Sequence, residues 1–227
     1  MGLHLTPRLL SAAQQVPHGA KLADIGTDHA YLPVWLLLKG VIDGAIAADL
    51  REGPLRRAQE TARQYGVWQQ ISFRLCDGLS AICPEEADTI VIAGMGGDTI
   101  ASILHGAPWT GQKGKQLLLQ PMTAQMHLRK WLWEHGCRID RECISQEGKR
   151  LYTVLCVTAG TTPVPSPGVL WAGQQSGDPL RGAYLDLMME KARHILDGQH
   201  SARKKDGGLV EELEQIVYEL EQMRKEL

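Results

Sequence analysis

Between residues 20 and 121 the chain repeats one pattern. Short apolar runs end on a small or acidic residue and give way to a turn. The runs are "AKLADIG" (20–26), "DGAIAADL" (43–50), "ISFRLCDGL" (71–79), "ADTIVIAGMGG" (87–97) and "QLLLQP" (116–121). Their lengths and bounding turn residues predict strands. The uninterrupted apolar centre of 87–97 marks a strand buried on both faces. Helical spacing fills 3–17, 31–40, 53–66 and 123–136, with Gly40, Gly66 and Gly136 at the helix ends and Pro54 in a first turn. Alternating strands and helices imply an α/β fold, a parallel doubly wound sheet with right-handed crossovers. Ligands of such sheets bind beyond the C-terminal strand ends, where these motifs fall. Residues 137–160 predict a closing hairpin or strand pair.

"TTPVPSPG" (161–168) interrupts the pattern with three prolines in eight residues and predicts a stiff linker. Beyond it, Leu209, Leu213, Ile216, Leu220, Met223 and Leu227 recur at spacings of 4, 3, 4, 3, 4. That is a heptad seam. A helix over 180–197 carries Leu185, Met188, Met189, Ala192, Ile195 and Leu196, with 198–208 joining the two. The expected organisation is a Rossmann-like domain over 1–160, a linker over 161–168, and a helical, antiparallel coiled-coil appendage over 169–227. A monomer is expected in preference to a coiled-coil dimer, because the seam is only about three heptads long.

Composition narrows the class. With 227 residues, 44% hydrophobic, and a formal net charge of -2, the chain reads as a soluble domain without a uniformly basic coat. No apolar run is long enough to span a membrane, and no secretory leader is evident, so a cytoplasmic protein is expected. "MGLHLT" fits the myristoylation pattern through Gly2 and Thr6, but Leu5, Leu9 and Leu10 read as one face of an ordinary first helix. Five cysteines without a CxxC pair support neither a metal knuckle nor a disulfide framework, and no metal is expected.

The first strand runs into "DIGTDHAYLP", where a dinucleotide fingerprint would supply more glycines. Only Gly26 is present; Thr27, Asp28 and His29 put side chains where a pyrophosphate would sit. NAD and ATP are poor fits, and an NAD-dependent dehydrogenase is disfavoured. S-adenosylmethionine carries a cationic sulfonium and no phosphate, so acids are tolerated or favoured there. Asp24 and Asp49 lie at the first two strand ends, and Asp49 is placed to accept bonds from ribose hydroxyls. Asp77, in "CDGL", is placed to accept from an adenine amino group. With Leu50, Gly78, Gly94, Met95 and Gly96 these residues form the expected cofactor site. Gly94, Gly96 and Gly97 close the fourth strand, where glycines would let a flat base approach. Gln120, ahead of Pro121, is a candidate hydrogen-bonding group for a base edge. Helix capping is the competing reading for each acid and for His29. Tyr31 and Tyr152 are read as packing residues before stacking ones.

"DIGTDHAYLP", "ADL", "CDGL", "AGMGG" and "LLLQP", in that order, resemble the bacterial tRNA (adenine-22-N1)-methyltransferases. The resemblance covers residues 3 to about 160 as a class I methyltransferase domain and extends to the helical tail. It departs at Met122, where the family commonly has asparagine. It implies methyl transfer from S-adenosylmethionine to adenine N1 in the D-arm region of tRNA. Neutral adenine N1 bears a lone pair and no proton, so no base is needed to expose it. Methylation makes the ring cationic, and a carboxylate beside N1 and N6 would stabilise that charge. Asp28 is the candidate for that role, with Gln120 and Pro121 alongside it, and His29 orienting Asp28 or lining the cofactor pocket. Arg8, Gly97 and the tail cations Arg181, Lys191, Arg193, Lys204 and Lys205 are the candidate tRNA contacts. Methylation of another RNA or of a small molecule, and a non-catalytic RNA-binding scaffold, are the competing functions.

Overall fold

In the computed structural model, which describes residues 2–202 and 206–227, the five apolar runs become five parallel strands. They are β1 (Leu22–Ile25), β2 (Ala45–Asp49), β3 (Ile71–Leu75), β4 (Thr89–Met95) and β5 (Gln116–Pro121). The hairpin over 137–160 forms β6 (Cys137–Glu147) and β7 (Arg150–Ala159). The sheet order is β3-β2-β1-β4-β5-β7-β6, with β7 antiparallel to both neighbours. Strand order reverses between β1 and β4. That is the switch point at which open α/β sheets leave a crevice. β1 and β2 are buried along their whole length, as is the first half of β4, because helices cover both faces.

The helices are α1 (Pro7–Ala13), α2 (Tyr31–Leu38), α3 (Glu52–Gln64), α4 (Gly97–His105), α5 (Gln125–Glu134), α6 (Pro167–Ala172), α7 (Arg181–Ser201) and α8 (Gly207–Lys225). The first helix is shorter than its apolar spacing predicts. Thr6 is extended and Pro7 starts the helix, so residues 3–6 form its approach. Two helices were not expected from sequence. α4 begins two residues past the end of β4, on Gly97, a poor helix former. α6 begins inside the proline-rich segment: Ser166 caps it and Pro167 is its first residue. The expected linker therefore ends at residue 166, and Gly168 packs under Glu219 of α8, whose carboxylate accepts the Gly168 amide at 2.7 Å.

α7 and α8 form the expected antiparallel pair. Leu213, Ile216 and Leu220 of the seam are buried with Leu185, Met188 and Ala192 of α7. The seam is thus filled from within the chain. Leu227, its expected last member, is instead 63% exposed, and Ile195 is also exposed. The tail is fastened to the sheet by polar contacts that no local pattern announces. Arg129 of α5 and Glu142 of β6 form a fully buried ion pair at 2.8 Å. Arg129 also donates to the carbonyls of Leu170, Trp171 and Ala172, and Gln175 donates to Glu142 at 2.9 Å. The backbone passes so close at Gly173 (φ 78°) that a Cβ would lie 2.3 Å from that carboxylate.

A buried charge that loses its partner keeps its desolvation cost. Arg129→Met is therefore expected to lower the unfolding free energy by about 3–5 kcal/mol in urea denaturation. A loss below about 1 kcal/mol would show that water reaches Glu142.

Candidate active site

β1 delivers Asp24 to the switch point. Burial pushes its carboxyl up to about 6, opposed by the Thr27 hydroxyl and reinforced by the Asp49 charge. The turn that follows has Gly26 at φ 74°. The amides of Gly26 and Thr27 both donate to the Ala48 carbonyl, at 2.8 and 3.0 Å. Neither is free to cradle a phosphate, which agrees with the poor fit to dinucleotides. His29 and Ala30 then adopt left-handed backbone (φ 69° and 52°), and Ala30, not His29, occupies the N-cap of α2. The capping reading of His29 is thereby removed. Its ring stacks on Tyr31 at 5.0 Å, and Tyr31 is partly exposed rather than packed inside. Each such non-glycine conformation costs about 1–3 kcal/mol. A third, Ala124 (φ 50°), lies at the β5–α5 turn. All three flank the end of β4.

Asp28 is 60% exposed at this mouth and accepts two bonds from Arg57 of α3, at 2.6 and 3.2 Å. His29 Nε2 stands 3.8 Å from the same oxygen. Sequence reading has no signal for this contact between Arg57 and Asp28.

On the β2–β3 side lies a hollow of about 530 Å³. Ile25, Met95 and Ile103 contribute apolar lining; Asp49, Asp77 and Asp98 contribute three acids against one cation, Arg51; Gly26, Leu50, Cys76 and Gly78 also line it. That volume falls in the usual range for small-ligand sites, about 300–1,000 Å³. One oxygen of Asp49 accepts the Arg51 amide at 2.9 Å. A Cβ on Gly26 would meet the Met95 methyl at 2.1 Å. Asp98, Thr99, Ser102 and Ile103 all come from α4, so missing that helix meant missing them. Asp24 and Thr27 lie buried and outside the hollow's lining, with His29, Gly94 and Gly96 also outside it.

The β4–β5 side is built differently. Gln120 is fully buried, and its Oε1 accepts from Arg8 Nη1 at 2.8 Å and from the Gly94 amide at 3.1 Å. Its Nε2 donates to the Pro121 carbonyl at 3.2 Å and faces the Met122 sulfur at 3.5 Å. Both ends are thus engaged inside the protein. The expectation that this amide meets a base edge gives way to a bracing role. Pro121 is likewise buried in β5. Arg8 thus lies at the ends of β4 and β5, with its guanidinium 5.8 Å from the Tyr152 ring centre. Gly94 (φ 82°) is exposed toward the mouth. Gly97 is not. It is buried, and a Cβ there would lie 2.4 Å from the Ala124 carbonyl oxygen. Its role is close packing of α4 on the β5–α5 turn, not base approach. Gly96 similarly faces the Thr123 hydroxyl.

The expected tail contacts are less free than their charges suggest. Arg193 pairs with Glu221 at 2.6 Å, and Arg181 donates to Gln175 at 3.0 Å. Lys191 is exposed. Lys204 and Lys205 lie outside the described residues. Over residues 169–227 eight Lys and Arg stand against eleven Asp and Glu, so the appendage is acidic overall. No group of three or more potential metal ligands occurs among the described residues.

Asp24 carries a pH signature. Its folded pKa is raised above the ordinary carboxylate value, so it opposes folding only once ionised. Relative to Asp24→Asn, wild-type stability is expected to fall by up to about 3 kcal/mol as pH rises from 4 through 6, and to level off above. Parallel stability curves for the two proteins would contradict the buried, neutralised carboxyl.

The geometry agrees with what the chain is similar to. Residues 5–155 match the methyltransferase domain family. The tRNA (adenine(22)-N(1))-methyltransferase of Bacillus subtilis (strain 168) is 39% identical over 176 residues, which span 77% of this chain and 74% of that one. The crystal structure of the B. subtilis M1A22 tRNA methyltransferase TrmK superposes with a TM-score of 0.87 at 30% identity, covering 98% of this chain and 100% of that one. Sp1610 of Streptococcus pneumoniae, in complex with S-adenosyl-L-methionine, superposes with a TM-score of 0.82 at 32% identity, covering 96% and 99%. Match length and shared architecture, tail included, lead to one conclusion: this chain belongs to the tRNA (adenine(22)-N(1))-methyltransferase family.

Proposed function

We propose that this chain methylates N1 of an adenine in tRNA, at position 22 as in the relatives, with S-adenosylmethionine as donor. The observation that carries the proposal is the two-sided mouth. An acid-rimmed hollow over β1–β3 lies next to a separate face at the ends of β4 and β5 that presents Gly94 and Arg8. The hollow fits the donor: it has apolar lining for an adenine ring, carboxylates for ribose and amino groups, and no free amide nest for phosphate. When bound, S-adenosylmethionine supplies an electrophilic methyl group on a sulfonium.

In this reading Asp49 accepts bonds from the ribose, and Asp77 and Gly78 border the adenine. Asp24 stays beneath, contributing negative potential as it ionises. Asp28, oriented by Arg57 and His29, faces the reacting base. N1 attacks with its lone pair, the methyl–sulfur electron pair leaves with sulfur, and the positive charge passes to the purine. A fixed carboxylate at that point lowers the barrier electrostatically and can take the N6 proton afterwards. Gln120 positions Arg8 and Gly94 without touching substrate. The protein acts as a monomer, without a metal. No described helix is long and apolar enough to cross a membrane. A cytoplasmic location follows from the tRNA substrate.

The direct test is methylation of an unmodified tRNA transcript, with nuclease digestion and mass analysis of the product nucleosides. N1-methyladenosine at a single position is expected; transfer to free nucleosides or to protein alone would refute the reading. Two variants separate the roles. Asp49→Ala should weaken S-adenosylmethionine binding at least about tenfold, the worth of a hydrogen bond or two to a charged group. Asp28→Asn should bind the donor normally and lose about 100-fold in single-turnover rate. Normal turnover in Asp28→Asn would end its catalytic assignment.

A further inference from the structure

β7 runs antiparallel to β5 with Leu155 opposite Leu119. β5 ends two residues beyond Leu119, at Pro121, whereas β7 begins five residues before Leu155, at Arg150. The β6–β7 hairpin therefore overhangs the acceptor side of the mouth by three residues, about 10 Å at strand rise. Its loop is two residues, Gly148 and Lys149, with the glycine leading at φ 58°, a tight hairpin turn. Gln146 Nε2 donates to the Gly148 carbonyl at 3.0 Å, which stiffens the tip.

The tip is joined to the reaction face by a continuous chain of contacts. Glu147 accepts the Arg8 amide at 2.9 Å, the Arg8 guanidinium lies over Tyr152 and bonds Gln120, and Gln120 holds Gly94. Lys149 and Arg150 are exposed and make no side-chain hydrogen bond or ion pair among the described residues. In the tail, Arg193, Arg224 and His200 each face an acid. Against the one acid there, Glu147 opposite Arg150, the tip and Arg8 leave a net positive charge on the wall over the acceptor half.

We propose that the β6–β7 tip, through Lys149 and Arg150, is a phosphate-contact surface for the tRNA strand flanking the reacting adenine, with Arg8 at its inner end. This rests on the tRNA reading above. An adenine drawn into the mouth leaves its flanking phosphates outside it, against whichever wall rises there. On this chain that wall is the hairpin. Contacts of this kind hold the strand in register and carry no sequence information.

The experiment compares the full-length chain with a K149A/R150A double variant and with Lys113→Ala, a cation at the opposite, N-terminal edge of the sheet. Affinity for an unmodified tRNA transcript is measured across a salt series, with S-adenosylmethionine binding and thermal midpoint as controls. The double variant should keep its midpoint and its donor affinity within about twofold, lose about tenfold in tRNA affinity at low salt, and flatten the log–log salt slope by about two, one for each lost phosphate contact. Lys113→Ala should match wild type. If wild type binds tRNA and the double variant binds it equally with an unchanged slope, the hairpin assignment alone falls. If wild type binds no tRNA, both the assignment and the reading beneath it fall.

Discussion

One buried amide sets the geometry of the reaction face. Gln120 has no access to water, so its carbonyl oxygen and its amino group must be satisfied inside the protein, or cost about 1–3 kcal/mol each. The oxygen draws in Arg8 from 112 residues away and the Gly94 amide from the neighbouring strand. That fixes the N-terminal helix against the ends of β4 and β5, and through the Arg8 amide it fixes the hairpin tip as well. The Met122 sulfur faces the Gln120 amino group at 3.5 Å and completes this brace.

The mouth is divided electrically. Carboxylates collect over β1–β3: Asp24 beneath, Asp49 and Asp77 around the hollow, Asp28 at the lip. Arg51 and Arg57 stand among them, while Arg8, Lys149 and Arg150 outnumber Glu147 at the outer edge. A sulfonium donor and a methylated purine are both cationic, and an RNA backbone is anionic, so each part of the reaction meets the sign that favours it. The arrangement opposes stability locally, because burial pushes the Asp24 carboxyl up, so that ionising it costs stability, and three non-glycine residues hold left-handed backbone beside β4. Such costs concentrate where a rigid surface must be kept ready. The buried Arg129–Glu142 network and the filled helical seam hold the frame around it.

Much of this frame is legible in the sequence, because strands buried on both faces must be apolar and their turns must carry glycine or acids. The five parallel strands, the hairpin and the helical pair follow from those rules. So does the acidic mouth, since Asp49 and Asp77 are adjacent to the runs that place them. What escaped has physical reasons too. α4 starts on Gly97, a residue chosen for its close approach to Ala124 rather than for helix propensity, and Asp98, Thr99 and Ser102 were hidden with it. α6 was hidden by proline density, although a serine directly ahead of a proline is a helix-start signal. Arg57 meets Asp28, and Arg129 meets Glu142, only through the fold, so no spacing rule finds them. Of the tail cations read as an RNA surface, Arg193 meets Glu221 of the facing helix, a pairing that only the fold brings about. Gln120 was found at the right strand end, but only its burial shows that it braces rather than touches.

The account depends most on where the donor sits. A crystal structure of the protein with S-adenosylmethionine bound measures that directly. The ribose hydroxyls are expected within about 3 Å of the Asp49 carboxylate, with the adenine beside Asp77 and Gly78 and the methyl group turned toward Gly94. A donor seated with its ribose away from Asp49 would contradict it.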